Sequence, residues 1–277
     1  MQQQTIEVSE GKRFGFGKNW NRFLSVLKDE RISEAEKSLR EMLACEDLKG
    51  KNFLDIGSGS GLFSLAARRL GARVYSFDYD PQSVGCTAEL KRRYFPDDSG
   101  WEIKEGSVLD EPFVRSLGQF DIVYSWGVLH HTGNMWRALG FSQLPVKEGG
   151  LCFIAIYNDQ GPLSGFWKQV KRAYCSGVLG KMATVAVFIP FFVAAGFVKD
   201  LLCLKNPLKR YTEYQKKSRG MSVFYDWLDW LGGYPFEVAR PEDIVNFYEA
   251  RGFGLLKMKT TKGWGNNQFV FKKTDKN

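Results

Sequence analysis

Histidine is nearly missing from this chain: two occur in 277 residues, side by side, as His130 and His131. Proton exchange near neutral pH therefore has one obvious place to occur. Cysteine is sparse and scattered, with Cys45, Cys86, Cys152, Cys175 and Cys203 far apart, odd in number and without a C-x-x-C pair. That pattern speaks against a disulfide framework and against a zinc site, so no metal is expected. There is no repeat and no low-complexity tract. The first residues, M-Q-Q-Q-T-I-E-V-S-E, lack the apolar centre of a signal peptide, which makes the cytoplasm the expected compartment. What is present is 44% hydrophobic residues, enough for one large core. A single domain with an elaborated cap is expected rather than two independent domains.

The most informative segment is Leu54 to Gly61, L-D-I-G-S-G-S-G, followed by the helix-like run Leu62 to Leu70. Strand, glycine turn and helix succeed one another. Gly57, Gly59 and Gly61 allow positive φ and let a ligand approach the backbone with no Cβ in the way. A plain tight connection uses the same glycines. The next strand, Arg73 to Pro81, reaches Asp78 about twenty residues after the glycines, where an acid can take both ribose hydroxyls. This is the first half of a doubly wound nucleotide-binding sheet. Two cofactor classes stay open at this point, since dinucleotide dehydrogenases use the same sheet.

The G-S-G-S-G spacing with Asp55 just before it resembles the class I S-adenosylmethionine-dependent methyltransferases rather than the dinucleotide G-x-G-x-x-G pattern. The resemblance implies S-adenosyl-L-methionine as cofactor, with Asp55 ordering the turn and the amino end of the methionine moiety. Asp55, Gly57, Ser58, Gly59, Gly61, Asp78 and Tyr79 form the implied cofactor set. Ser107 and Val108, in G-S-V-L-D after the third strand, fall where the family lines the adenine, and Trp126 follows the fourth strand, Phe120 to Ser125. Gly149-Gly150 reads as a turn before a fifth strand, Leu151 to Tyr157. Pro241 to Arg251 reads as an amphipathic helix, and Leu255 to Thr260 with Gln268 to Lys273 as a closing antiparallel pair. The expected fold is α/β, a doubly wound, seven-stranded, mostly parallel sheet of the Rossmann-like methyltransferase type. Residues 1–48 are expected to form an amino-terminal flap and helices, 49–159 and 238–277 the core, and 160–237 a helical, basic and apolar cap inserted before the last helix and strands.

Both histidines sit at the carboxyl end of the fourth strand, in W-G-V-L-H-H-T-G-N-M-W, where such sheets bind ligands. Either can deprotonate an acceptor hydroxyl, or shape the pocket and cap the next helix. His130 matches the position that serves catalysis in some small-molecule methyltransferases, such as the phosphoethanolamine type. The segment Arg13 to Trp20 alternates aromatics with glycines and suits a mobile lid, in which Trp20 and Lys18 are candidates to reach over the cofactor. A hydrophobic staple on the following helix is the alternative.

From Gln160 to Gly220 there are eleven Lys or Arg against Asp200 and Glu213, a surplus of nine in a chain whose formal charge is +8. Such a patch suits an anionic acceptor, a membrane surface or nucleic acid, or is a solvated helix face. Within it, Met182 to Val198 runs seventeen residues without a charge, interrupted by Pro190 and bounded by Lys181 and Lys199. It reads first as a buried pair of cap helices, second as an interfacial membrane anchor and last as a span. The aromatic stretch Arg219 to Val238 places Asp226 as a catalytic candidate, and Arg219 and Glu237 as substrate contacts with Tyr157; ordinary core is the alternative. Asn266-Asn267-Gln268 can face the pocket or merely make a turn.

Together with D-W-L-G-G-Y-P-F-E, these strings look broadly similar to ubiquinone-biosynthesis O-methyltransferases. The resemblance implies methyl transfer, with oxygen favoured, to a small or lipid-linked acceptor such as a sugar, a phosphorylated metabolite or a quinone-like compound. Peripheral contact with the inner membrane face through 182–198 is the partner expectation. RNA methylation is an alternative that the charge favours, although an N-P-P-Y-type motif and a separate recognition module are lacking. A non-catalytic cofactor-binding protein and a dehydrogenase are the others, and Asp55 with the crowded glycines argues against the last.

Overall fold

The fold is described from a computed structural model covering residues 2–25, 27–214, 223–263 and 265–274. Arg219, an expected substrate contact, lies outside the described residues. Seven strands form one sheet: β1 (Asn52–Ile56), β2 (Arg73–Asp78), β3 (Trp101–Glu105), β4 (Phe120–Trp126), β5 (Val146–Tyr157), β6 (Phe253–Lys259) and β7 (Asn266–Lys273), in the spatial order β3-β2-β1-β4-β5-β7-β6. The β1–β2, β1–β4, β2–β3 and β4–β5 pairs are parallel, and β7 runs antiparallel to both β5 and β6. This is the doubly wound, mostly parallel sheet expected from the sequence.

The strand sequences explain its depth. β1 reads N-F-L-D-I and is buried at every residue after the first, the continuous apolar pattern of a strand covered on both faces. Side chains alternate: Phe53 joins a core built with α3 (Asp29–Leu43), α4 (Leu62–Arg69) and α5 (Pro81–Tyr94). Leu54 and Ile56 join the opposite core with α7 (Met135–Ser142) and α12 (Pro241–Glu249). Asp55 shares the Phe53 face, which turns a carboxylate toward α4.

Two sequence expectations need correction here. Gly149 and Gly150 do not close a turn, because they lie inside β5 beside a register shift against β4. A Cβ on Gly150 would come within 2.8 Å of the Lys147 carbonyl oxygen, so glycine there permits an irregular strand. The apolar run 182–198 is not a buried helix pair. It is the middle of one continuous helix, α9 (Val178–Leu202), which passes through Pro190 and buries only Thr184, Phe192 and Asp200. A proline inside a helix forfeits one main-chain hydrogen bond, and here it leaves the helix unbroken.

The segment from 160 to 237 holds α8 (Pro162–Cys175), α9, α10 (Pro207–Thr212) and α11 (Val223–Gly232). Their shared core is aromatic: Trp167, Tyr174, Phe192 and Phe236, with Trp227 and Trp230 packed against it. The amino terminus contributes α1 (Gln2–Ser9) and α2 (Phe16–Leu24), and α6 (Glu111–Ser116) follows β3.

Candidate functional site

A cavity of about 1270 Å³ opens along the carboxyl ends of β1, β2 and β4. It is bordered by Asp55, Gly57, Ser58, Gly59, Asp78, Tyr79, Ser107, Val108 and Trp126 on the sheet side and by Trp20 from α2. Pockets for a single drug-sized ligand run to roughly 300–1,000 Å³. This one exceeds that range.

The glycines divide their work. Gly57 and Gly59 have φ of 76° and 56°, open to glycine but strained for other residues. A Cβ on Gly59 would meet the Trp20 indole nitrogen at 3.0 Å, and one on Gly57 would meet Val128 Cγ1 at 2.4 Å. Both therefore allow neighbours to close over the turn. Gly61 does not border the cavity; it starts α4 at φ 80°, and a Cβ there would strike Thr87 on α5.

Asp55 ends a directed chain of hydrogen bonds. Trp101 Nε1 donates to Ser76 Oγ at 2.9 Å, Ser76 and Ser64 hydroxyls lie 2.7 Å apart, and Ser64 Oγ donates to Asp55 Oδ2. Each hydroxyl has one proton to give, so the protons run toward the carboxylate. Burial nevertheless raises the Asp55 carboxyl to about 7, with the Ser64 donor pulling it back and the Asp78 charge raising it further. Asp78 accepts from Gly59 N at 2.9 Å and Asp80 N at 2.8 Å, and burial lifts it to about 6 against those bonds. Among the described residues no salt bridge reaches either acid. Two desolvated carboxyls beside a glycine turn suit a cationic ligand, whose charge favours their ionised form.

The two histidines, adjacent in sequence and with ring centres 4.4 Å apart, differ in what they face. His131 borders the cavity, and its Nδ1 lies 2.7 Å from the Pro235 carbonyl oxygen. A carbonyl only accepts, so Nδ1 carries the proton and Nε2 is left as the ring's acceptor atom. Burial, then the positive charge of Lys171, lowers His131 to about 3, while the Pro235 bond partly opposes them and Arg13 adds to the lowering. His130 is fully buried and does not border the cavity. Its Nδ1 accepts from Tyr157 N–H at 3.3 Å, and its ring packs 4.0 Å from the Tyr157 ring centre. It ties the loop after β4 to the end of β5.

Tyr157 and Asp226 both border the cavity, and Asp226 accepts from the Tyr214 hydroxyl at 2.8 Å. Glu237 has a different task from the expected substrate contact. It does not border the cavity, and both carboxylate oxygens accept the Met135 N–H, at 3.2 and 3.0 Å, at the start of α7. An acid there complements the helix dipole. Asn266 and Gln268 border the cavity, whereas Asn267 is buried between Asn158 and Thr261.

Lys18 is exposed and away from the cavity, but Trp20 covers Gly59 and Phe16 lies 5.0 Å from the His131 ring. Gly17 N–H donates to Asp80 Oδ2 at 2.8 Å. Sequence reasoning passed over Arg13, which pairs with Glu7, donates to the carbonyl oxygens of His131 and Thr132 at 2.7 and 3.3 Å, and lies over the Tyr79 ring. A charge inside an aromatic–glycine run was the available signal. Lys171 was equally invisible: fully buried in the cap, it donates to the Trp230 carbonyl oxygen and lies over the rings of Trp230, Phe236 and Tyr157.

A doubly wound sheet with a glycine turn after β1, an acid at the end of β2 and one chamber across both defines a protein of the nucleoside-cofactor class. Residues 27–191 match the family described as methyltransferase domain, and the chain belongs to that family, whose cofactor is S-adenosylmethionine. Among curated relatives, the ubiquinone biosynthesis O-methyltransferase of Rhizobium johnstonii is 28% identical over 135 residues, 49% of this chain and 51% of that protein. That of Sinorhizobium fredii is 30% identical over 119 residues, 43% of this chain and 46% of its own length. The chain thus spans about half the length of the curated relatives it matches. Among solved structures, magnesium protoporphyrin IX methyltransferase from Synechocystis with bound S-adenosylhomocysteine superposes with a TM-score of 0.56 at 14% identity, over 98% of this chain and 100% of that one. The N-methyltransferase NodS of Bradyrhizobium japonicum gives 0.51 at 14%, over 94% and 100%. These two likenesses concern the fold.

Proposed function

We propose that this chain methylates an oxygen of a small or lipid-linked acceptor that carries an anionic group, using S-adenosylmethionine. When bound, that cofactor supplies a methyl group on a cationic sulfur, already activated toward attack. The cavity residues fit it. Asp55 and Asp78 offer carboxylates to its positive charge and ribose, the turn from Gly57 to Gly59 gives a backbone surface free of Cβ atoms, and Trp20, Ser107, Val108 and Trp126 line the apolar remainder. Family membership and the names of the curated relatives support the reaction class and the choice of oxygen.

The observation that carries the reading is His131. Its Nδ1 proton is committed to Pro235, so Nε2 is the acceptor atom of a ring on the cavity wall. Such an atom can orient a hydroxyl and receive its proton as the methyl group arrives. A ring held near 3 is a weak base alone, and the buried Lys171 contributes to that. An anionic group on the acceptor, bound in the cavity that His131 borders, would favour the protonated ring and so strengthen the base when substrate is present. Asp226 and Tyr157 border the acceptor side, while His130 serves by holding the loop that carries His131. Arg219 stays in the proposal as a sequence candidate alone.

The test is methyl transfer from labelled S-adenosylmethionine to matched panels of phenolic, sugar and amine acceptors, with and without phosphate groups. Turnover is expected on anionic hydroxyl compounds. His131→Gln should lower kcat by about a hundredfold with cofactor affinity unchanged. Transfer to amines alone, or a His131→Gln enzyme as fast as the wild type, would contradict the reading.

A further inference from the structure

Helix α9 is apolar all round, and a helix of that kind belongs in a protein interior or in lipid. Yet only 17% of its most apolar eighteen-residue window is buried. The side that faces the protein is one stripe at three- and four-residue spacing: Thr184, Val185, Phe188, Ile189, Phe192, Gly196 and Asp200. Phe192 packs with Trp167 and Trp227, and Asp200 is paired with Arg210 at 2.7 Å. The rest of the circumference faces outward. Leu179 is 83% exposed, Met182 62%, Phe191 50%, Phe197 51% and Leu202 81%, and the surface continues through Leu204 and Leu208. Exposed apolar patches beyond a few hundred Å² mark interaction sites.

The charge around the patch identifies its partner. Lys181, Lys199, Lys205 and Lys209 are all exposed along the helix and the stretch after it. Between residues 161 and 214 the acids are Asp200, buried in its ion pair, and Glu213. An apolar face bordered by lysines on one helix matches acyl chains beneath anionic headgroups. The stripe of protein contacts argues against a span, because α8, which carries Lys168, Lys171 and Arg172, would have to enter the bilayer beside it.

The same helix walls the cavity. Phe192, Ala195, Gly196 and Lys199 border it, and Ala195 and Lys199 are at the same time exposed. We propose that the outer face of α9 docks this chain on an anionic lipid bilayer, flat in the headgroup layer, and that an amphiphilic acceptor enters the cavity directly from that surface. Docking stands independently of methyl transfer; the route of entry rests on it.

The experiment is flotation with vesicles of phosphatidylcholine alone and of equal parts phosphatidylcholine and phosphatidylglycerol, at low and high salt, followed by alkaline carbonate extraction. The wild type is expected to float with the mixed vesicles, less so at high salt, and to be released by carbonate. A variant with Leu179→Ser, Met182→Ser, Phe191→Ser and Leu202→Ser, all exposed positions, should remain at the bottom while keeping its thermal transition and S-adenosylmethionine binding. Lys181→Glu, Lys205→Glu and Lys209→Glu should each weaken anionic-vesicle binding by about fivefold. A wild type that floats with neither vesicle, binding by the serine variant equal to wild type, resistance to carbonate, or self-association through α9 in place of vesicle binding would each overturn the proposal. None of these readings depends on turnover, so failure of docking and failure of the transfer reaction are separable.

Discussion

Asp55 and Asp78 carry the cavity's pH dependence. Both carboxyls are raised by burial, to about 7 and about 6, so both are largely protonated below about pH 5 in the free protein. A cationic ligand binds the ionised forms, and its affinity should fall on acidification by up to about tenfold per pH unit for each acid that has to lose a proton. Calorimetry with S-adenosylmethionine from pH 7.5 down to 5 checks this, with S-adenosylhomocysteine, which lacks the sulfonium charge, expected to fall less steeply. A flat profile for both ligands would show that neither acid meets the charge. Asp78→Asn should weaken binding and flatten the dependence together.

Among the elements, the amino-terminal segment is tied to the loops around the cavity by hydrogen bonds. Arg13 joins it to the loop carrying His131, Gly17 joins it to Asp80, and Phe14 N–H donates to the Tyr234 carbonyl oxygen at 2.8 Å. Arg13→Ala should raise the cofactor dissociation constant roughly tenfold, in line with the loss of hydrogen bonds made by a charged donor, and should speed proteolysis within residues 1–25. Unchanged proteolysis would mean that the aromatic contacts suffice. The strands, the glycine turn and both acids were legible in the sequence because each depends on local pattern: apolar runs, positive φ and spacing along a βαβ unit. What escaped depends on distant partners. Nothing near Glu237 in sequence shows that its carboxylate meets Met135, nothing near His130 shows that Tyr157 covers it, and Lys171 reads as any surface lysine until α8 packs against α11. The apolar run 182–198 was legible as apolar, but hydrophobicity alone cannot tell buried from uncovered.

Across the whole molecule these groups pull stability in opposite directions. His131, lowered to about 3, adds stability that is complete above its unfolded value near 6.5 and is lost as pH falls between the two. Asp55 and Asp78, raised above their unfolded value near 3.9, do the reverse: their burial costs stability as pH rises from there toward 6 and 7. His130, which burial lowers well below its usual value, adds a second slope of the same sign as that of His131, so between pH 4 and 6 two slopes oppose two and the free protein should show a shallow profile in thermal unfolding. His131→Gln removes one of the opposing slopes. Its stability relative to wild type should rise on acidification by up to about 1.4 kcal/mol per pH unit over that window. A constant difference between the two proteins across the window would show that His131 titrates normally.

The cavity has two covers of unlike origin: from the amino-terminal segment Trp20 lies over the glycine turn and Phe16 beside His131, while α9 and α11 border the other end. Covers that belong to separate elements can open independently. One ligand can stay seated while the other is exchanged, so traffic through the site need not be a strict queue. A protein resting on a surface through α9 would keep its lysine-edged door toward the bilayer and its tryptophan door toward water, reloading from one side while it samples acceptors from the other.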